Sequence, residues 1–165
     1  MPSDVRILAL DNSLPTTSTL PGLRVRPITN ADREDLAVLY RDSYPPEVGA
    51  HDLDEARTEI DMTFAGDFGK LRRDASLLAL IGGDPAGAVL VVARSIWDED
   101  LPGPFVIDLF VHPSHRGLGI GRALMVGAIA ACRAHGDTTL SLRVGEGTSP
   151  AAHALYAGLG FAAPS

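Results

Sequence analysis

The chain reads as one mixed α/β domain, and three observations predict it. Runs that alternate apolar and polar residues are interleaved with longer stretches of helical period. Their order is strand, two helices, a run of antiparallel strands, then strand, helix, strand, helix, which is neither all-helical nor all-strand. The length of 165 residues is enough to bury roughly two thirds of the unfolded surface around a single core without disulfide or metal staples.

Each element has a local reason. DVRILALD near the N-terminus is a short strand-like run, and NSLPTTSTLP behind it has the composition of a linker, so residues 1–22 are expected to form an N-terminal extension to a domain at 23–165. LRVRPIT alternates as a half-buried strand does. Thr29 or Asn30 is placed to cap the helix ADREDLAVLYRDSY, which Tyr44-Pro45-Pro46 ends. A second helix over residues 53–65 carries Asp54, Glu55, Glu59 and Asp61 against Arg57 alone. SLLALIGG and AGAVLVVARS are strands joined through a tight GGDP turn; WDEDLPG is a loop and PFVIDLFV a further strand. A helix over residues 119–135, the strand TTLSLRV and a last helix in SPAAHALYAGLGF complete the order, with Ser149 as cap and Pro150 at the first helical position.

Composition excludes several classes. A net charge of -7 with scattered basic residues repels a nucleic-acid backbone and tolerates a cationic substrate. The single cysteine, Cys132, has no partner in the chain and sits in an apolar helix pattern, which fits a reducing compartment. The longest near-apolar run, residues 123–132, is about half a bilayer span, and no early stretch has a signal-peptide core. A cytoplasmic protein without a membrane partner is expected.

The stretch VHPSHRGLGIGRALM carries the chemistry. A helix start exposes unpaired N–H groups and the positive end of the helix dipole, and so attracts an anion. Glycine at 117, 119 and 121 clears side chains from that approach, and Arg116 adds a charged fork, so the segment is suited to a pyrophosphate. The plainer alternative is a tight turn with close helix packing. A P-loop is excluded because Lys70 lies in no such pattern, and the dinucleotide fingerprint fails because its last glycine falls on Arg122 or Leu124.

The pattern V-x-P-x-x-R-G-x-G-x-G, met by Val111, Pro113, Arg116, Gly117, Gly119 and Gly121, closely resembles the acetyl-CoA motif of the GNAT acyltransferase superfamily. The ending A-x-x-L-Y-x-x-x-G-F, met by Ala152, Leu155, Tyr156, Gly160 and Phe161, resembles that family's C-terminal half. The resemblance runs from about residue 23 to 161. It implies the GNAT fold, a mixed and mostly antiparallel sheet with helices on both faces, and direct acetyl transfer from acetyl-CoA to an amine in a ternary complex. Acetyl-CoA is then the cosubstrate, with no metal. By resemblance, the main chain of Leu109, Phe110 and Val111 receives the pantetheine arm. Arg116, Gly117, Leu118, Gly119, Ile120, Gly121 and Arg122 surround the diphosphate, and Tyr156 sits near the sulfur as the acid that protonates the departing thiolate.

Several residues keep two readings. Tyr156 also lies on an apolar stripe with Ala152, Leu155 and Leu159. Asp108 is the sole carboxylate of its strand; burial there raises a pKa toward that of a general base, while the alternative is an ion pair with Arg94. Ser149 stands where many relatives have an asparagine on the pantetheine arm, and a helix cap explains it equally well. His112 and His115 lack the further ligands a metal needs, and nothing compels His51 or His153 toward the acceptor.

Family members usually continue past Gly-Phe with one more strand, and here AAPS follows, so the last strand is expected short or missing. DVRILALD is the candidate to cover the exposed edge, in its own subunit or, in a homodimer, in a partner's. The acceptor is a small-molecule or peptide amine, and the acidic first helices favour a cationic one. A catalytically weak module that binds acyl-CoA or a protein is the alternative.

Overall fold

The computed structural model describes residues 4–11, 15, 20–145 and 147–164. The strands β1 (Val5–Ala9), β2 (Leu23–Pro27), β3 (Leu77–Ile81), β4 (Asp84–Val92), β5 (Phe105–Val111) and β6 (Thr139–Arg143) join one sheet in the order β1-β6-β5-β4-β3-β2. All neighbours are antiparallel except β5 and β6. The β3–β4 hairpin turns on Gly82 and Gly83, both at positive φ (58° and 91°), the twist that a two-residue hairpin prefers. Most of the expected linker, residues 12–14 and 16–19, lies outside the described residues.

Four α-helices, α1 (Arg33–Ser43), α2 (Leu53–Ala65), α3 (Ile120–His135) and α4 (Pro150–Leu159), are described. Alternation along the strands sorts them into two layers. Leu77, Ala79, Val89 and Val91 face one way, into a core with α3 and with Leu159 and Phe161 at the end of α4. Leu78, Ala88 and Leu90 face the other way, against Leu36, Leu39, Ala56 and Ile60 of α1 and α2. Cys132 is buried within the first core, where burial pushes its thiol up to about 12, so it behaves as an apolar side chain.

The helix starts differ in one respect that matters below. Asp52 caps α2 by accepting the Glu55 N–H, and Ser149 caps α4 by accepting the Ala152 N–H at 3.1 Å. Thr29 and Asp32 form a capping box on the short 3-10 turn that runs into α1. The start of α3 has Gly119 as its N-cap and therefore no capping side chain.

The sheet edge is covered by DVRILALD of the same chain. β1 of the same chain pairs antiparallel with β6 from Val5 opposite Arg143 to Ala9 opposite Thr139. Its other side exchanges two main-chain bonds with Ala162, Ile7 N–H to Ala162 O at 2.8 Å and Ala162 N–H to Ile7 O at 3.0 Å. The residues after the last helix thus form a single bridge on β1 instead of a strand of their own.

Candidate active site

The parallel neighbours β5 and β6 pair only at Phe105–Ser141 and Val106–Leu142, then diverge. From Ile107 to Val111 the β5 main chain therefore has no strand on its β6 side. A cavity of about 570 Å³ opens beside this divergence, lined by β5, the start of α3, residues 43–45 and the start and inner face of α4.

A bulge sets what β5 presents to it. Leu90 of β4 is opposite Asp108 and Val91 is opposite Val106, so Ile107 is the extra residue. In a regular strand Val106, Asp108 and Phe110 would share one face. Here Val106 packs into the α3 core and Phe110 into the α1–α2 core. The bulge turns Asp108 with Phe110 toward α1.

There the Tyr44 hydroxyl donates to Asp108 Oδ1. The same hydroxyl lies 3.2 Å from the Leu109 carbonyl oxygen. Edge-to-face contacts with Tyr40 (5.2 Å between centroids) and a tilted contact with Phe110 (6.0 Å) hold the Tyr44 ring. The Asp108 carboxyl keeps a little exposed surface on the cavity but is otherwise enclosed, and loss of hydration raises its pKa to about 7. The charge of Glu59 on α2 pushes the same way; the Tyr44 hydroxyl and the Leu109 N–H pull it down. The alternative ion pair with Arg94 is not formed: that guanidinium donates to the Glu99 and Leu101 carbonyls, and no Arg or Lys pairs with Asp108 among the described residues. Arg94 lies past the end of β4, four residues beyond Leu90, which stands opposite Asp108.

Tyr156 lines the cavity from α4, with Phe161 packed edge-on at 6.1 Å. Burial, helped by the Asp108 charge, pushes its hydroxyl up to about 12, so it is fully protonated at neutral pH. Its apolar stripe is real as well, since the side chain packs on the α3 core.

The glycine segment borders the same space. Gly117 and Gly119 have φ of 80° and 87°, and a Cβ at either would meet nothing within 4 Å. Gly121 has no such backbone requirement, and a Cβ there would make ordinary contact with Leu155 at 3.5 Å. Turn geometry thus accounts for two of the three glycines; neither backbone nor packing demands the third. The first intrahelical bond of α3 runs from Ala123 N–H to Gly119 O, so the amides of Ile120 and Gly121 precede the helical ladder at the cavity wall.

Arg116 does something the sequence did not foretell. Its Nε donates to the Val111 carbonyl at 3.0 Å and its Nη2 to the Ser43 carbonyl, tying the loop to the end of α1. Ser149 lines the cavity while serving as the α4 cap. Leu109, Phe110, Val111, Arg116, Gly117, Gly119, Ile120 and Gly121 all border the cavity; Leu118 (48% exposed) and Arg122 do not. His115 borders it too, and His112 accepts the Ser114 N–H through Nδ1. His51 and His153 are exposed. No group of three or more His, Cys, Asp or Glu able to hold a metal occurs among the described residues, and no described helix is long and apolar enough to cross a membrane. Sequence reasoning missed Tyr44, 64 residues from its partner. The signal was a buried carboxylate that needed a donor and a tyrosine fixed at a helix end before Pro-Pro.

The sequence matches the family model described as the acetyltransferase (GNAT) family over residues 33–161. Over 80 residues it is 42% identical to the streptothricin acetyltransferase of Streptomyces lavendulae, a match covering 48% of this chain and 40% of that one. A GCN5-related N-acetyltransferase from Sphaerobacter thermophilus superposes with a TM-score of 0.73 and 19% identity, over 97% of this chain and 47% of that chain. AAC(6')-Iy, solved in complex with the bisubstrate analogue CoA-S-monomethyl-acetylneamine, superposes with a TM-score of 0.65 and 17% identity, over 87% of this chain and 93% of that chain. The likeness to these structures is one of fold, and the matches span under half the length of the first two relatives.

Proposed function

The chain belongs to the GNAT acetyltransferase family, and from that premise we propose that it moves an acetyl group from acetyl-CoA to an amine by direct transfer in the cleft between β5 and β6. The observation that carries the proposal is the start of α3, which has glycine where α2 and α4 have capping side chains and which opens onto the cavity. The residues fit the cosubstrate: the amides of Ile120 and Gly121, which precede the helical ladder, and the bare Gly117, Gly119 and Gly121 suit a diphosphate. Arg116 lends its charge and, through the Val111 and Ser43 carbonyls, the shape of the loop. Leu109, Phe110 and Val111 lie where no strand covers β5 on its β6 side, which suits them to run beside the pantetheine arm.

Acetyl-CoA supplies an activated thioester whose carbonyl carbon gains a C–N bond as the C–S bond breaks. The chain's own residues manage protons. Asp108, poised at about 7, takes the proton of an ammonium acceptor. Tyr156, protonated at neutral pH, gives its proton to the sulfur. The second proton released by the nitrogen restores Tyr156 through solvent.

The acceptor enters from the α1–α2 side, where Asp108 faces. Glu59 is partly buried there, and burial raises its pKa, while the neighbouring acids are matched: Arg57 with Glu34 and Asp54, Arg33 with Asp61. This supports a cationic amine. The S. lavendulae relative's name indicates acetylation of streptothricin, and AAC(6')-Iy was solved with an acetylneamine conjugate; both support a small-molecule amine.

Coenzyme A release measured over streptothricin-like amines, aminoglycosides, amino acids and peptide N-termini tests the reading. Turnover is expected with at least one cationic amine, and Tyr156→Phe is expected to lower kcat by ~10² to 10⁴ fold with acetyl-CoA binding retained. Tight acetyl-CoA binding without thiol release from any amine would favour a binding module instead.

A further inference from the structure

We propose that Tyr44 is a positioning residue for proton uptake at Asp108: its hydroxyl turns from the Asp108 carboxylate to the Leu109 carbonyl as the carboxyl gains a proton. The inference rests on the proposed transfer reaction for its purpose and on the Tyr44 geometry for its substance.

A phenol has one proton to give. The Tyr44 oxygen sits against two acceptors, Asp108 Oδ1 and, at 3.2 Å, the Leu109 carbonyl. One proton cannot serve both at once. With Asp108 ionised, Tyr44 donates to the carboxylate. With Asp108 protonated, the acid O–H donates to the Tyr44 oxygen and the Tyr44 proton turns to Leu109. A largely enclosed base must be tolerated in both protonation states, and this arrangement gives the proton of each state an acceptor. In the uptake step itself one N–H bond of the acceptor ammonium breaks and one O–H bond forms at Asp108.

The pivot is fixed on every side. Tyr40 and Phe110 hold the ring. The preceding residue, Ser43, accepts the Arg116 guanidinium through its carbonyl, so the switch is anchored to the glycine loop. Burial and the Asp108 charge raise the pKa of the Tyr44 hydroxyl far above its ordinary value, so it redirects its proton and never stores a negative charge. The groups that act on Asp108 are Tyr44 from the end of α1 and Glu59 from α2; the Asp108 charge in turn acts on Tyr40 of α1 and Tyr156 of α4. Opposite it on β4 stands Leu90, which is apolar. Leu109 also belongs to the strand edge assigned to the pantetheine arm, so protonation of the base is relayed to the peptide beside the cosubstrate.

The test is the carboxyl titration of Asp108, followed by ¹³C NMR in the full chain without ligands, for wild type and Tyr44→Phe. The variant removes one hydroxyl and keeps the ring, and an unchanged melting temperature and circular dichroism spectrum confirm its fold. Because Tyr44 donates to the charged form, its loss raises the Asp108 pKa; a shift of about one unit upward, a roughly tenfold tighter proton, is expected. The acid limb of kcat/KM for an amine acceptor moves upward by the same amount, while KM for acetyl-CoA holds within about twofold. A variant whose Asp108 titrates where the wild type does overturns the proposal. A Tyr44→Phe variant that shows the titration shift, beside a wild type that turns over no amine, supports the switch and overturns the transfer reading.

Discussion

Asp108 owes its chemistry to its neighbour. Ile107 is the extra residue of the β5 bulge, and if the same sequence paired regularly the carboxyl would share a face with Val106, toward the α3 core. Turned toward α1, it meets the Tyr44 hydroxyl and the field of Glu59. Holding a carboxyl at about 7 has a stability consequence with a definite sign. The folded state keeps a proton that the unfolded chain has released at the ordinary aspartate value, so the contribution is full at low pH and is lost as pH rises through about 7. Asp108→Asn, neutral throughout, lacks this loss. Its melting temperature is expected to gain on wild type progressively from pH 5 to pH 7, at up to roughly 1.4 kcal/mol per pH unit, and the gap levels off above pH 8. Scanning calorimetry across that range checks it; a gap independent of pH contradicts it. With Asp108 in its proposed role as base, the same variant is expected to lose activity as it gains stability.

Among the elements, β1 explains how the sheet closes. Val5 is buried against Val92, Leu101 and Phe105, and β1 stands between β6 and the Ala162 bridge. Removing residues 1–9 would leave β6 with a row of open main-chain groups, which are templates for pairing with another chain. The truncated chain is expected to melt earlier and to associate with rising concentration in light scattering, while a monomer with an unaltered melting temperature would contradict this role. Element positions were largely legible beforehand. The expected helix over residues 53–65 matches α2, Gly82-Gly83 makes the foreseen hairpin, and Ser149 and Pro150 open α4. These features are encoded by residues a few positions apart, which is the range over which capping and turn chemistry act. The bulge at Ile107 has no such local sign, because it arises from the pairing of β5 with β4.

The whole molecule places two arrays of protons and charges on opposite walls of one cleft. The glycine loop and the start of α3 line one part of it, and Asp108, Tyr44 and Tyr156 line another, with the charge of Glu59 acting on Asp108 from α2. The glycine wall was legible as a place, since the three glycines that stand out in the sequence do border the cavity; the diphosphate they are proposed to hold is a matter for the titration below. The acceptor wall was not, because Tyr44 and Asp108 meet only when α1 packs on the bulged strand. Arg116 was legible as a cation but not as a tie, its two carbonyl partners lying 5 and 73 residues away. The acidic surface that argued against nucleic acid resolves, near the site, into paired charges with Glu59 outside the pairs.

The central claim is that the main chain from Gly117 to Arg122 grips a diphosphate. The direct measurement is an amide ¹H–¹⁵N NMR titration of the full chain, with coenzyme A in one series and pantetheine, which lacks the diphosphate, in the other. The amides of residues 117–122 should shift with coenzyme A and stay still with pantetheine, while Leu109 to Val111 respond to both. Amides at 117–122 that ignore coenzyme A at saturation would contradict the account.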